Sequence, residues 1–196
     1  GGAKYNLIGG TSTSEKNVIS GNNSSGVTLT GDGTTSNEVR YNYIGTNLTA
    51  ASALGNSQDA VSLNTNTKYN IIANNVLSGN GNNGISFDSG CDGNSVLGNY
   101  IGTDRTGTRA LGNAADGEHI WSGAKNNVIG WPGAAGRNII SANLYGITIG
   151  SLSTYNTVMN NYIGTNVHGT AARPNTADGI GIWSSSKYNT IGGSVA

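Results

Sequence analysis

The chain has 196 residues, of which 32 are glycine and 29 asparagine, together 61 positions. Ten basic and ten acidic side chains cancel, and charged residues make up only 10% of the chain, so it has no long-range field with which to hold a nucleic acid. Poor helix formers dominate, which excludes an ordinary helical domain, while 35% apolar residues with recurring Ile and Val exclude disorder.

The opening phrase Lys4-Tyr5-Asn6-Leu7-Ile8-Gly9-Gly10 predicts a short strand. It returns at Lys68-Tyr69-Asn70-Ile71-Ile72-Ala73, at Lys125-Asn126-Asn127-Val128-Ile129-Gly130 and at Lys187-Tyr188-Asn189-Thr190-Ile191-Gly192-Gly193, spaced by 64, 57 and 62 residues. A second phrase runs in phase: Asn42-Tyr43-Ile44-Gly45-Thr46, Asn99-Tyr100-Ile101-Gly102-Thr103 and Asn161-Tyr162-Ile163-Gly164-Thr165. The chain therefore reads as one domain over 1–196, with repeats at about 4–67, 68–124 and 125–186 and the first strand of a fourth.

Each repeat divides again. Val27-Thr28-Leu29, Val61-Ser62-Leu63, Ile85-Ser86-Phe87, Ile147-Thr148-Ile149 and Ile180-Gly181-Ile182 alternate with the period of a half-buried strand. Glu118-His119-Ile120 stands in the same place but opens on a charge. After each comes a turn and then two further strands, each introduced by asparagine, such as Asn37-Glu38-Val39 followed by Asn42-Tyr43-Ile44. Strands this short persist only when stacked, so the pattern predicts an all-β fold: a parallel β-solenoid of about six coils, three strands per coil, rising ~4.8 Å per coil. Asparagine suits the corners because it tolerates unusual backbone angles and its amide can bond the next coil in a ladder.

The Asn-Tyr-Ile-Gly-Thr phrases, with Ala53-Leu54-Gly55-Asn56 and Ala110-Leu111-Gly112-Asn113, resemble the right-handed parallel β-helix repeats of large secreted or surface bacterial proteins of the pectate-lyase-like superfamily. The resemblance covers essentially the whole chain. It implies a right-handed single-stranded β-helix, but not an activity, since such repeats serve adhesins and surface layers as well as polysaccharide-degrading enzymes.

Return loops alternate in length. Ser20–Gly26, Ser78–Gly84 and Ser141–Gly146 are short; Gly45–Ala60, Gly102–Gly117 and Gly164–Gly179 are long. Long loops therefore recur every second coil, about 9.6 Å apart. Tyrosine (Tyr43, Tyr100, Tyr162) replaces Val18, Val76 or Ile139 only where a long loop follows. An outward column of this kind needs a cover, and Leu54 and Leu111 are expected to supply it, the alternative being a lateral surface for a protein or ligand; Arg173-Pro174 takes their place in the third copy.

Chemistry is sparse. Hydrolases of this superfamily need paired acids and its lyases need calcium-binding carboxylates, yet the ten acids here are scattered. One anomaly stands out: Asp116, Glu118, His119 and Trp121 fall within six residues, with Glu118 at a position that should face the core. Such a carboxylate must find a partner or shift its strand. Trp121 and Trp183 share a column two coils apart, with Gly150 between them and Asp88 one coil before Trp121; the indoles are expected to cover the turn, and the alternative is a shallow cleft for a sugar ring. Asp59, Asp116 and Asp178 close the long loops, where bonding to the local turn is expected rather than a calcium ladder. No metal site and no cofactor is expected. The single Cys91 allows no intrachain disulfide, and no apolar run nears the ~18 residues of a membrane span.

The chain opens without a leader-like apolar segment, as a mature segment would. The strands Tyr5, Asn6, Leu7, Ile8 and Tyr188, Asn189, Thr190, Ile191 occupy the same phase of the repeat. They are expected to meet neighbouring repeats or further copies of the chain, end to end, in open filaments. The function expected is that of a structural or adhesive module of an extracellular or cell-surface protein, without hydrolase or lyase turnover. The alternative is a carbohydrate-active or carbohydrate-binding β-helix using Glu118, His119, Trp121 and Trp183, with a polysaccharide as partner.

Overall fold

A computed structural model describes residues 1–193. The first coil holds β1 (Leu7–Gly9), β2 (Val18–Ile19) and β3 (Val27–Thr30); the second holds β4 (Glu38–Arg40), β5 (Tyr43–Ile44) and β6 (Val61–Asn64). Then come β7 (Ile71–Ala73), β8 (Val76–Leu77) and β9 (Ile85–Phe87), and in the fourth coil β10 (Ser95–Leu97), β11 (Tyr100–Ile101) and β12 (Glu118–Ile120). The fifth and sixth coils hold β13 (Val128–Ile129), β14 (Ile139–Ile140), β15 (Ile147–Ile149), β16 (Thr157–Val158), β17 (Tyr162–Ile163) and β18 (Ile180–Ile182), and β19 (Thr190–Ile191) follows.

Every third strand stacks in parallel. β1 to β19 form a seven-stranded first sheet, and β2 to β17 and β3 to β18 form six-stranded second and third sheets. The fold is a right-handed parallel β-helix with three strands per coil. Strict in-register pairing puts chemically alike residues on top of one another: Val39 beside Ile8 and Ile72, Ile101 beside Leu77 and Ile140, Leu63 beside Leu29 and Phe87. These side chains fill one continuous core, whose largest fully buried member is Phe87.

Three asparagine ladders hold the corners. Asn6, Asn37, Asn70, Asn94, Asn127, Asn156 and Asn189 form the first, each donating its backbone N–H and side-chain amide to the next residue's Oδ1, as Asn70 does to Asn94 at 2.9 Å on both bonds. Asn17, Asn42, Asn75, Asn99, Asn138 and Asn161 form the second. The third, Asn22, Asn56, Asn80, Asn113, Asn143 and Asn175, runs through the return loops, where the sequence reading placed none. The unusual backbone angle belongs to the residue before the asparagine: Tyr5, Ser36, Tyr69, Asn126, Tyr155 and Tyr188 all have φ between 54° and 59°. The ladder amide works from ordinary backbone, and its predecessor absorbs the turn.

The long loops are small hairpins, bridged Thr46 to Ala53, Thr103 to Ala110 and Thr165 to Ala172. Leu54 does not cover the tyrosine column, being 55% exposed. The loop tips do so instead: a Cβ added to Gly107 would stand 3.1 Å from the Tyr100 ring, and one on Gly169 3.3 Å from the Tyr162 ring. Successive tips also bond, Arg105 N–H to Ala50 carbonyl at 3.3 Å and Val167 N–H to Gly107 carbonyl at 2.9 Å, and Arg173 Nε donates to Thr108 carbonyl at 2.6 Å. Short coils join this buttress through Ser20, Ser78 and Ser141, whose hydroxyls donate to the Thr46, Thr103 and Thr165 carbonyls.

Candidate functional site

The third sheet carries Asp116, Glu118, His119 and Trp121 on and beside β12, in register with β9 and β15. Just ahead of these strands lies a corner column in which the acids do not serve their own turn. Asn83, one coil on, donates its N–H (3.1 Å) and its amide (3.0 Å) to Asp59 Oδ1, and Ser86 Oγ donates to Asp59 Oδ2 at 2.8 Å. Asp116 N–H in turn donates to Asn83 Oδ1 at 3.0 Å. Asp59 and Asp116 thus continue the ladder principle, and bonding to the next coil replaces the expected bonding to the local turn.

Asp116 Oδ2 accepts a 2.5 Å hydrogen bond from Thr148 Oγ1 and lies 2.8 Å from His119 Nδ1. Burial pulls the His119 imidazole down, but the hydrogen bond and charge of Asp116, with the charges of Asp88 and Asp59, outweigh it and hold the ring above its ordinary pKa. The pair can hold a proton and orient the ring.

Glu118 is a different case. Its Cα partners are Ile85 and Ile147, its residual exposure is 0%, and both carboxyl oxygens lack a hydrogen-bond partner. The strand keeps its register and the carboxyl remains unpartnered, so neither expected escape is taken. Burial pushes its pKa up to about 8, and the group is neutral at pH 7. A neutral carboxyl inside the core does not meet a substrate.

The two indoles leave no slot between them. Trp121 lies over Gly150, where an added Cβ would fall 2.0 Å from Cζ3, and stacks on His119 with ring centroids 4.9 Å apart. Trp183 meets Trp121 edge to face at 6.2 Å, and Tyr145, which the sequence reading passed over, meets Trp183 at 5.4 Å. The alternative cleft is therefore filled by its own walls, leaving an aromatic patch whose most open ring, Trp183, is 38% exposed. Asp88 is partly exposed and accepts from Ser122 Oγ at 3.1 Å. Tyr145 stands where Asn83 and Asp116 stand in earlier coils, just before the strand, and that column comparison was the signal available for it.

The strands named for assembly are the first and last of the first sheet. Tyr5 and Tyr188 are 80% and 70% exposed, β1 pairs with β4, and β19 pairs with β16. Among the described residues no helix is long and apolar enough to cross a membrane. Comparison with protein-family models, with curated proteins and with solved structures finds no match.

Proposed function

We propose that this chain is a structural or adhesive repeat module of a secreted or cell-surface protein, related to the pectate-lyase-like β-helices. Its work is to form a stiff spacer, reinforced along one flank by the stacked long loops. One observation carries this reading: Glu118, the acid on which a catalytic face would depend, points into the core with no exposed surface. Asp59 and Asp116 support it, because both oxygens of Asp59 and Oδ2 of Asp116 are taken by donors from neighbouring residues. Incubation with pectin, alginate and glucans, followed by reducing-end and unsaturated-product assays, is expected to show no turnover. Turnover abolished by Asp116→Asn or His119→Gln would overturn the proposal.

The second reading, a carbohydrate-binding face, is favoured by the exposed edge of the Trp121, Tyr145 and Trp183 patch. Aromatic faces of this kind hold sugar rings by apolar contact while their polar edges stay hydrated. Quenching or a blue shift of tryptophan fluorescence on titration with neutral oligosaccharides, lost in Trp183→Ala, is its test.

A further inference from the structure

The corner between the third and first sheets holds tyrosine where the backbone disfavours it. The residue ahead of each first-ladder asparagine takes a left-handed conformation, and in four of the seven turns it is tyrosine: Tyr5, Tyr69, Tyr155 and Tyr188, with φ between 55° and 59°. A bulky L residue is strained there, whereas Gly93 (φ 68°) and Asn126 (φ 54°), which hold the same corner in two other turns, are of types that take it readily. Strain of this kind points to a use for the side chain it presents. All four rings face solvent.

Two of them meet. Tyr155 and Tyr188 come from successive coils and are brought level by the in-register pairing of β16 with β19. Tyr155 N–H also donates to the Lys187 carbonyl at 3.3 Å. Their ring centroids lie 5.1 Å apart with the planes inclined by 16°, an offset stack that leaves Tyr155 56% and Tyr188 70% exposed. Among the described residues Tyr5 and Tyr69 have no such partner. Ser36 stands between them, and Tyr69 lies over Gly93, where an added Cβ would fall 2.6 Å from the ring. Cys91, the thiol that would intercept an oxidant, is fully buried.

We propose that Tyr155 and Tyr188 are a dityrosine cross-linking site, closed by a one-electron oxidant of the haem peroxidase class supplied with hydrogen peroxide. Each phenol gives one electron and one proton to the oxidant. The two phenoxyl radicals then join by a carbon–carbon bond between positions ortho to their oxygens, and the hydrogen on each joined carbon passes to oxygen as the phenols are restored. One hydrogen peroxide takes up both electrons and both protons and leaves as two waters. The stack favours this pair over any other because both radicals are already in contact when they form. The bond ties the corner ahead of β19 to the corner ahead of β16, reinforcing a strand of only two residues, both exposed. It uses neither His119 nor the indoles, so its failure leaves the non-catalytic spacer reading intact.

Treatment of the full chain at low concentration with a haem peroxidase and hydrogen peroxide is the test. Dityrosine fluorescence is expected in a product that keeps monomer size under denaturing conditions. The tryptic fragment that begins at Tyr188, released by cleavage after Lys187, should be joined to the fragment carrying Tyr155 and be two hydrogens lighter than their sum. Tyr155→Phe and Tyr188→Phe, which keep the ring and lack the phenol, should each abolish the joined fragment, and Tyr69→Phe should leave it. Unfolding in urea before oxidation should lower its yield roughly tenfold or more, because the contact is lost. No joined fragment, a joined fragment that survives in Tyr155→Phe, an equal yield from the unfolded chain, or cross-linked dimers in place of the intramolecular product would each overturn the proposal.

Discussion

Replacing Glu118 with isoleucine, the residue found at Ile85 and Ile147 on either side, should stabilise the protein, and by an amount that depends on pH. Burial pushes the carboxyl up to about 8 in the fold, against 4.5 for an ordinary glutamate. Between those values the folded state holds a proton that the unfolded chain has lost, so stability falls as pH rises. The contribution is fully present below the unfolded value, and it is lost as pH climbs to and through the folded one. At about 1.4 kcal/mol per unit, the whole span amounts to roughly 5 kcal/mol, of which about 3 kcal/mol is already lost at pH 7. The neutral carboxyl with no partner costs a further ~1–3 kcal/mol at any pH. His119, whose pKa is also raised, adds a slope of the same sign, but one present in both proteins. The difference between wild type and Glu118→Ile therefore isolates the buried acid. Urea unfolding of both proteins across about pH 5 to 9 should show the variant's advantage growing by roughly 4 kcal/mol. Glu118→Gln should share the flat pH profile but gain less, since its amide is equally unpartnered. A pH-independent difference would mean that Glu118 reaches water or a partner, and that β12 does not lie in the core as described.

Asn94→Ala, in mid-ladder, leaves the Asn70 amide and backbone N–H without partners and removes one of the two donors to the Thr67 carbonyl, and should cost roughly 3 kcal/mol or more in chemical unfolding. Asn6→Ala, at an exposed rung, should cost under about 1 kcal/mol in the same assay. Thr65 is exposed with φ 57°, a conformation poor for a β-branched residue, so Thr65→Asn should raise stability by about 1 kcal/mol in thermal melts. Gly150→Ala puts a methyl group where the Trp121 ring lies, and should red-shift tryptophan emission as that indole is displaced.

Much of this architecture was legible because it repeats. Period-two alternation and the recurring Asn-x-Val and Asn-x-Ile phrases mark strand and corner together, and in-register stacking turns sequence repetition directly into columns. The third ladder escaped because its asparagines sit in loops of two lengths, so no constant spacing announces them. The clue was local: Gly21-Asn22, Gly55-Asn56, Gly79-Asn80 and Gly112-Asn113 share a dipeptide. The loop cover was misplaced for a related reason. Leucine looks like a lid, but the hairpin geometry brings Gly107 and Gly169 against the tyrosines instead. The turns Thr13–Glu15 and Ala134–Gly136, ahead of Asn17 and Asn138, lie outside the repeated phrases. Only the fold shows that they stand at matching corners and end in Lys16 and Arg137, each over a tyrosine.

The candidate site was located by sequence but not understood from it. Position alone put Glu118 in the core column and the two tryptophans in one line, and both placements hold in the fold. What position could not supply was competition for the same space. Removing a side chain at Gly150 opens room, and the nearest large ring, Trp121, fills it before any ligand does. The same economy governs the acids. In a solenoid each corner group faces its equivalent one coil away, so a carboxylate there is drawn into the stack as a ladder member, as Asp59 and Asp116 are. A functional surface in this fold has to be built where that symmetry is interrupted. On the second sheet it is interrupted by the turns Thr13–Glu15 and Ala134–Gly136.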